Sequence, residues 1–192
     1  MADIVDSLII AEPIEGGFTY TLASRLGDLL KLAEEKFGPR KPDFTILGVE
    51  FQDGDPQTWF PGNCKHIVVQ LSLEAMNNEE QAVFQLAHET VHLLDGGQLA
   101  NVLEEGVAVN FQQEYMLANF ENSISIVNPK YIAAGELVER LLTFDNSVVK
   151  RLRSICGSFD SITAKHIAIE SNLPIEICEC LAMPFDEYNP QA

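Results

Sequence analysis

Two periods in the apolar positions predict the order of helices and strands in the first half of the chain. In residues 21–37, leucines recur at helical spacing and a Gly-Pro pair follows, which predicts an amphipathic helix that ends there. Residues 44–51 and 66–73 are rich in β-branched and aromatic side chains and are predicted to be strands. Asp-Gly-Asp-Pro at 53–56 is a strong loop signal, so a loop is expected after the first strand.

The rest of the chain has the apolar spacing of helices. Residues 79–94 are predicted to form a helix, because two glutamates suit its N-terminal end and Asp-Gly-Gly stops it. Further helices are predicted at 99–117, 129–142, 147–155, 162–170 and 174–181. This order indicates an α+β fold with one small antiparallel sheet. We expect a core of residues 1–125 and a helical C-terminal extension, 126–192, packed on it.

The composition is that of an ordinary globular protein, but the charge is not. Of 192 residues, 46% are hydrophobic, which is enough to bury a core, whereas 29 acidic side chains outnumber 12 Lys and Arg for a net charge of -17. This acidity opposes binding to nucleic acid and to anionic membranes, because both depend on Lys and Arg. No apolar run approaches the length of a membrane span. We therefore expect neither a nucleic-acid nor a membrane partner.

The cysteines and the N-terminal residues indicate the cellular compartment in which the protein is expected. Cys64, Cys156, Cys178 and Cys180 are scattered and lack the spacing of a zinc knuckle. The N-terminal residues are acidic, and a secretory signal would need a basic leader. Both observations favour reduced cysteines in a cytoplasmic protein. The oligomeric state does not follow from the sequence.

The candidate chemistry lies in the predicted helix 79–94. Residues 88–92 have the HExxH pattern, and residues four apart share one face of a helix, so His88 and His92 can bind one metal ion together. Glu89 can then lie beside a water on that metal and take its proton. The motif therefore predicts the metal-binding helix of a zinc hydrolase, with Glu89 as the general base.

A catalytic zinc ion usually has three protein ligands, so a third ligand must come from elsewhere. A third histidine in the pattern HExxHxxGxxH would require glycine at position 95 and histidine at position 98, where the chain has Asp95 and Gln98. The other known pattern takes a glutamate from a following helix, and Glu104 and Glu105 lie in the predicted helix 99–117. The three-histidine class is excluded, and one of these two glutamates is the candidate ligand.

This arrangement resembles the gluzincin metallopeptidases, whose third ligand is a glutamate often followed by glycine, as in the pattern N-E-G-x-A. Residues 105–108 match the last four places of that pattern, and Glu104 stands where asparagine would be. The resemblance implies a zincin-like minimal metallopeptidase fold. It also implies zinc as the cofactor, with His88, His92 and Glu105 as its ligands.

Residues 85–94, which contain A-H-E-x-x-H, also resemble the ImmA/IrrE-type metallopeptidases, which cleave or regulate repressors. The later spacing E-x-x-A-x-x-F of that family fits Glu105, Ala108 and Phe111. The residues that differ from those usual in that family are Gln85, Thr90, Val91 and Val109. Across the region 66–118 that the resemblance covers, the chain is therefore closer to the gluzincins in general than to this family.

A gluzincin would hydrolyse peptide bonds in a peptide or protein substrate, using a water that zinc activates and Glu89 to pass a proton to the leaving amine. The strand 66–73 would line the cleft, where an extended peptide could pair with it. The alternative is a non-catalytic, metal-binding regulatory or interaction module derived from a gluzincin. The intact Glu89 favours the enzyme over this alternative.

Two supporting roles at such a site are an oxyanion-stabilising side chain and a hydrogen-bond partner for a ligand histidine. Tyr115, Tyr131 and His166 are the candidates for a side chain that stabilises the oxyanion, and nothing in the sequence selects one of them. Asp95 could hydrogen-bond a ligand histidine. The exposure habits of aspartate nevertheless favour a solvated side chain at the end of the helix.

Overall fold

A computed structural model describes residues 8–62, 64–96, 99–120 and 124–190. In these ranges the strands are β1 (Pro13–Ile14), β2 (Gly17–Phe18), β3 (Thr45–Gln52), β4 (Gln57–Trp59) and β5 (His66–Ser72). The α-helices are α1 (Leu22–Phe37), α2 (Glu79–His92), α3 (Val102–Asn119), α4 (Pro129–Phe144), α5 (Val148–Cys156), α6 (Ala164–Glu170) and α7 (Ile175–Ala182). The mixture of helices and strands agrees with the predicted α+β class, and every predicted helix and strand is present.

Some residues used above lie outside the described ranges. Residues 1–7 carry the expectation about a secretory signal, and Gln98 carries part of the case against a third histidine. Gly97 belongs to the predicted stop signal after α2. The other glycine of that signal, Gly96, is described and lies in the turn that follows the end of α2 at His92. It has a φ of +61°, in the left-handed region, and its N–H donates to the carbonyl of His92 at 2.9 Å.

The main sheet is mixed, so the prediction of an antiparallel sheet is wrong. Its strand order is β3-β5-β4, in which β3 is parallel to β5 and β4 is antiparallel to β5. The reason is that the chain passes through β4 between β3 and β5. Because β4 lies on the far edge of β5 and runs antiparallel to it, the chain enters β5 in the same direction as β3. Parallel neighbours need such a long crossover, whereas a tight turn would have produced an antiparallel pair. Two further strands, β1 and β2, form a separate antiparallel hairpin that was not predicted.

Helix α2 lies between the sheet and the other helices. It packs against β5 on one side and against α1 and α3 on others. Its buried apolar residues are Ala82, Val83, Leu86, Ala87 and Val91. Asn78 caps its N-terminus by accepting a hydrogen bond from the Gln81 amide at 3.0 Å. Because one side of α2 is anchored in the core, the other can be held rigidly toward a cleft.

One buried hydrophobic cluster reaches from Leu8 to Phe185. It joins the sheet and α1–α3 to residues of the C-terminal region, including Leu141 and Leu152 in helices and Phe159 in the turn after α5. The helices after residue 126 thus pack on the earlier part of the chain, while the division into two domains at that position stays a prediction. All four cysteines are free. In the described part of the chain, none of the helices is both long enough and apolar enough to cross a membrane.

The packing of α3 against α4 depends on a glycine in each helix. A Cβ atom on Gly106 would clash with the carbonyl oxygen of Ala134 and with Val138 on α4. Gly135 makes the reciprocal approach, because a Cβ there would lie 2.6 Å from Val109 Cγ1. The glycine after Glu105 therefore lets α4 lie directly against the helix that carries this glutamate.

Candidate metal centre

The two histidines of the HExxH motif lie on one face of α2, as the helical spacing predicts. Their ring centroids are 5.2 Å apart. His92 is buried, and His88 is partly exposed to a cleft. Four residues are slightly more than one helical turn, so the two imidazoles project from neighbouring positions on the helix surface.

Helix α3 brings Glu105 to these histidines. Asn101 caps the helix, and its side-chain oxygen accepts a hydrogen bond from the Glu104 amide at 2.9 Å. Glu105 Oε2 then lies 3.1 Å from His88 Nε2, and Glu105 Oε1 lies 3.8 Å from His92 Nε2. The candidate ligand atoms of these three residues all lie within 4.8 Å of one another. The structure thus brings together the three residues predicted as ligands in a group that could hold a metal ion.

The charges of this group suit a cation. Three carboxylates, those of Glu89, Glu104 and Glu105, are at most 8% exposed. Within the described ranges, the ion-pair partners of Glu104 and Glu105 are the two histidines. A buried carboxylate is stabilised by a paired charge, by a metal ion or by a proton, and two imidazoles can pair with only two of these three carboxylates. Two imidazole nitrogens and a carboxylate also match the donor set that zinc takes in catalytic sites.

The pKa values of His92 and Glu105 are shifted by the charges that these residues place beside each other. Burial lowers the pKa of His92, but Glu105, Glu104 and Glu89 outweigh it and raise the pKa to about 10. Burial opposes ionisation of Glu105, yet His92, His88 and Lys130 hold its pKa below the usual value. His92 therefore carries a proton when no metal is bound, and a metal ion would replace that proton because a ligand imidazole must be neutral.

Glu104, beside the predicted ligand, contacts the opposite edge of His92. Its Oε1 lies 2.8 Å from His92 Nδ1, and its side chain is buried. A carboxylate on Nδ1 fixes the tautomer and ring orientation, and leaves Nε2 free to face Glu105. Two consecutive glutamates on α3 thus have different contacts: Glu105 lies in the candidate metal-binding group with His88 and His92, and Glu104 contacts the other ring nitrogen of His92.

Asp95 does neither of the things that the sequence suggested. It is buried, which contradicts the solvated side chain, and in the described part of the chain its two carboxylate oxygens have hydrogen-bond partners other than the ligand histidines. Instead Oδ1 accepts a hydrogen bond from Arg153 Nη2 at 2.7 Å, and Oδ2 accepts one from the Phe159 amide at 2.6 Å. The partners come from far along the chain, which is why residues near Asp95 gave no sign of them.

Glu89 lies at the same cleft as the metal-binding group. Burial raises its pKa, which the charges of His92 and His88 oppose, and a hydrogen bond from the Thr58 backbone also lowers the pKa. The carboxylate is thus held between the sheet edge and the two histidines. A carboxylate whose pKa is raised above its ordinary value is suited to accept and return a proton.

The cleft has a volume of about 450 Å³ and brings together distant parts of the chain. One part of its wall is β4 and the residues beside it, and another part contains Tyr131 of α4, Phe185 and Asp186. The Tyr131 ring lies 5.6 Å from the His88 ring and 4.9 Å from that of Phe185. The backbone of Phe185 is fixed by a 2.9 Å hydrogen bond to the Ala100 carbonyl.

Among the three candidates for oxyanion stabilisation, Tyr131 is the one at the cleft. Tyr115 packs among α1 and α3 and lines a different hollow. His166 contacts Cys156 Sγ at 3.3 Å and the capping residue Thr163. Burial, followed by the charges of Glu105 and Glu89, raises the pKa of Tyr131, so its hydroxyl keeps its proton and can donate a hydrogen bond.

The strand beside the cleft is β4, and the sequence prediction missed it. The predicted partner for a bound peptide, the strand 66–73, is the central strand β5, whose two edges are occupied by β3 and β4. The expectation that a peptide pairs with it is therefore wrong. The outer edge of β4 faces the cleft instead, and Gln57, Thr58 and Trp59 all line it. Three residues directly after a strong loop signal carry too short an alternation to be recognised as a strand.

Comparison with protein-family models, with curated proteins and with solved structures finds no match to this chain.

Proposed function

We propose that this protein is a zinc-dependent peptidase of the gluzincin type, with a zincin-like arrangement of its sheet edge and two metal-binding helices. The observation that carries the proposal is the placement of Glu89 in the same cleft as His88, His92 and Glu105. A purely structural cluster would not require a buried carboxylate of raised pKa beside a metal-binding group and open to a cleft.

In the proposed enzyme His88, His92 and Glu105 would hold the zinc ion through their imidazole nitrogens and a carboxylate oxygen. The bound ion would supply Lewis-acid chemistry, which polarises a peptide carbonyl and acidifies water. Glu89 accepts the proton of the attacking water and delivers it to the leaving amine, which its position in the cleft supports. Tyr131, protonated and beside His88, donates a hydrogen bond to the developing oxyanion.

The substrate proposed for this cleft is an extended peptide or protein segment. Among the described residues, β5 is the only strand that pairs with β4, so the other edge of β4 could take a peptide in extended conformation beside the Thr58 backbone group that is bonded to Glu89. Trp59, Phe60 and Phe185 supply apolar surface on the two walls. Four free cysteines agree with a reducing compartment, and on that basis we place the enzyme in the cytoplasm.

The test combines metal content with cleavage. We expect purified protein to bind one zinc ion per chain and to cleave members of a diverse peptide mixture, as followed by mass spectrometry. Glu89→Gln should keep the zinc and lose cleavage, because Gln retains the shape of the side chain but cannot accept the proton. The control is Glu136→Gln, which changes an exposed glutamate on α4 and should leave both properties unchanged.

The outcomes separate the enzyme from the alternative. Zinc binding by wild type and by Glu89→Gln, without cleavage of any peptide by either, would support the non-catalytic metal-binding module instead. Absence of zinc from the wild-type protein would remove the basis of both functions.

A further inference from the structure

Phe159, in the turn after α5, links the two metal-binding helices through its backbone. Its N–H donates to Asp95 Oδ2 at 2.6 Å, and its carbonyl accepts a hydrogen bond from Asn101 Nδ2 at 2.8 Å. Asp95 follows α2 three residues after His92, and Asn101 immediately precedes α3. Phe159, Asp95 and Asn101 are all buried, so water does not compete for these bonds.

From Asn101 the hydrogen bonds continue to the metal-binding group. The side-chain oxygen of Asn101 accepts from the Glu104 amide at 2.9 Å. The Glu104 carboxylate in turn contacts His92 Nδ1 at 2.8 Å. The orientation of Asn101 therefore determines the start of α3, and with it the positions of Glu104 and of its neighbour Glu105.

This series of hydrogen bonds begins at Asp95, whose side chain is held by Arg153. Arg153 is 5% exposed, and its Nη2 donates to Asp95 Oδ1 at 2.7 Å. Its Nη1 donates to the carbonyls of Phe37 and Gly38 at 2.7 and 2.9 Å, at the C-terminal end of α1. One guanidinium thus joins the ends of α1 and α2, and the buried aspartate is fully paired.

We propose that Asp95, Asn101, Arg153 and Phe159 form a clamp that sets the separation and orientation of the two metal-binding helices. These are positioning residues, because none of them belongs to the metal-binding group. The C-terminal helical region, which supplies Arg153 and Phe159, is in this account a working part of the metal centre. The inference rests on the proposed metal-binding function, and it goes further by assigning metal affinity to contacts distant from the metal.

The test uses a substitution that breaks the clamp but keeps the helix cap. In Asn101→Ser the hydroxyl oxygen can still accept the Glu104 amide, whereas the bond to the Phe159 carbonyl is lost. The matched control is Asn78→Ser, which makes the same change at the exposed N-terminal cap of α2, the end of that helix away from His88 and His92. Zinc affinity is measured by competition with a chromophoric chelator, and ligand geometry by the visible spectrum of the Co²⁺-substituted protein.

We expect Asn101→Ser to lower zinc affinity roughly tenfold, at the low end of the effect of outer-shell partners, and to shift the Co²⁺ bands. Asn78→Ser should stay within about twofold of wild type and leave the spectrum unchanged, because its side chain lies outside the clamp. If Asn101→Ser does not fold, Arg153→Lys serves as the second variant, since it keeps the charge beside Asp95 but cannot make all the bonds of the guanidinium. Arg153→Lys should lower the zinc affinity and shift the Co²⁺ bands in the same direction as Asn101→Ser.

Two results would overturn the clamp. One is wild-type zinc affinity and an unchanged Co²⁺ spectrum in the clamp variant. The other is an equal loss of affinity in Asn78→Ser, which would show a general effect of weakened helices. If wild type itself binds neither Zn²⁺ nor Co²⁺, the proposed metal function fails along with the clamp, and this outcome is distinct from a metal site that ignores the substitution.

Discussion

The metal-binding group and the walls of the cleft are assembled in different ways. The group comes from two helices that follow each other in the chain, so His88, His92 and Glu105 lie close together in sequence. The walls come from β4, from Tyr131 on α4 and from Phe185 near the other end of the chain. The first region depends on helical periodicity and one reversal of the chain, whereas the second depends on how distant elements pack.

This difference separates two questions about the protein. Whether a metal is bound depends on the local pair α2–α3 and the residues that position it. What is done with a substrate depends on the walls, where side chains from three remote segments meet. Substitutions in the two regions should therefore have separable effects: changes in the group should alter metal affinity, and changes in the walls should alter activity at constant metal content.

The largest expected effect comes from the two adjacent glutamates of α3. Glu105→Gln should lower zinc affinity by more than 100-fold, because it removes a proposed charged ligand. Glu104→Gln should cost about tenfold, since Gln can still accept a hydrogen bond from His92 Nδ1 but lacks the charge. Chelator competition measures both. The reverse order, with the larger loss in Glu104→Gln, would mean that the roles of the two residues are exchanged.

The cleft wall is probed by Tyr131→Phe. Loss of the hydroxyl should reduce peptide cleavage roughly 100-fold, as removal of an oxyanion donor does, while zinc content stays at that of wild type. Steady-state kinetics and metal analysis on the same preparation provide the measurement. Tyr115→Phe is the control, because that hydroxyl lies away from the cleft. Equal activity of the two variants would remove Tyr131 from the mechanism.

Gly106 lies where α3, which carries Glu105, packs against α4, which carries Tyr131. Substitution of this glycine tests that contact. An alanine there would press against the Ala134 carbonyl, so Gly106→Ala should destabilise the protein by about 2 kcal/mol. The control is Gly27→Ala in α1, where nothing lies within 4 Å of the added carbon. That variant should gain up to about 1 kcal/mol, because alanine is the better helix former. Urea unfolding measures both, and the same sign of change in both variants would argue against close packing of α3 and α4.

The smallest effect is expected from the exposed aromatic residue of β4. Trp59 is 46% exposed and lines the cleft, so Trp59→Ala should raise KM about fivefold through loss of apolar contact with the peptide. Trp59→Phe should keep most of the affinity. Initial-rate kinetics over a range of peptide concentrations distinguish the two. A fall in the zinc content of Trp59→Ala would contradict the expectation that changes in the cleft walls leave metal binding unaffected.

The metal-binding group was largely predictable because its positions obey one local rule. His88 and His92 share a face at helical spacing, and a glutamate on the next helix can reach them. The rule does not distinguish Glu104 from Glu105, since both lie in the first turn of α3. Resemblance to the E-G-x-A pattern favoured Glu105 as the ligand. In the structure Glu104 instead contacts His92 Nδ1, on the opposite edge of the ring from Glu105.

The walls and the sheet direction were not predictable from the same rule. Periodicity identifies β3 and β5 but does not show that the segment between them crosses over as β4, which makes the pair parallel. Tyr131 and Tyr115 are both tyrosines on predicted helices, and only the packing of α4 on α3 separates them. Asp95 was misjudged because its partners, Arg153 and Phe159, are brought to it by the C-terminal helices.

Zinc K-edge X-ray absorption of the zinc-loaded protein tests the central claim most directly. The account predicts one zinc ion with a first shell of nitrogen and oxygen alone, two imidazole nitrogens at about 2.0–2.1 Å among them, and loss of that spectrum in Glu105→Gln. Sulfur scattering at about 2.3 Å, which would place the metal on a cysteine, or a shell of water oxygens without imidazole, would contradict it.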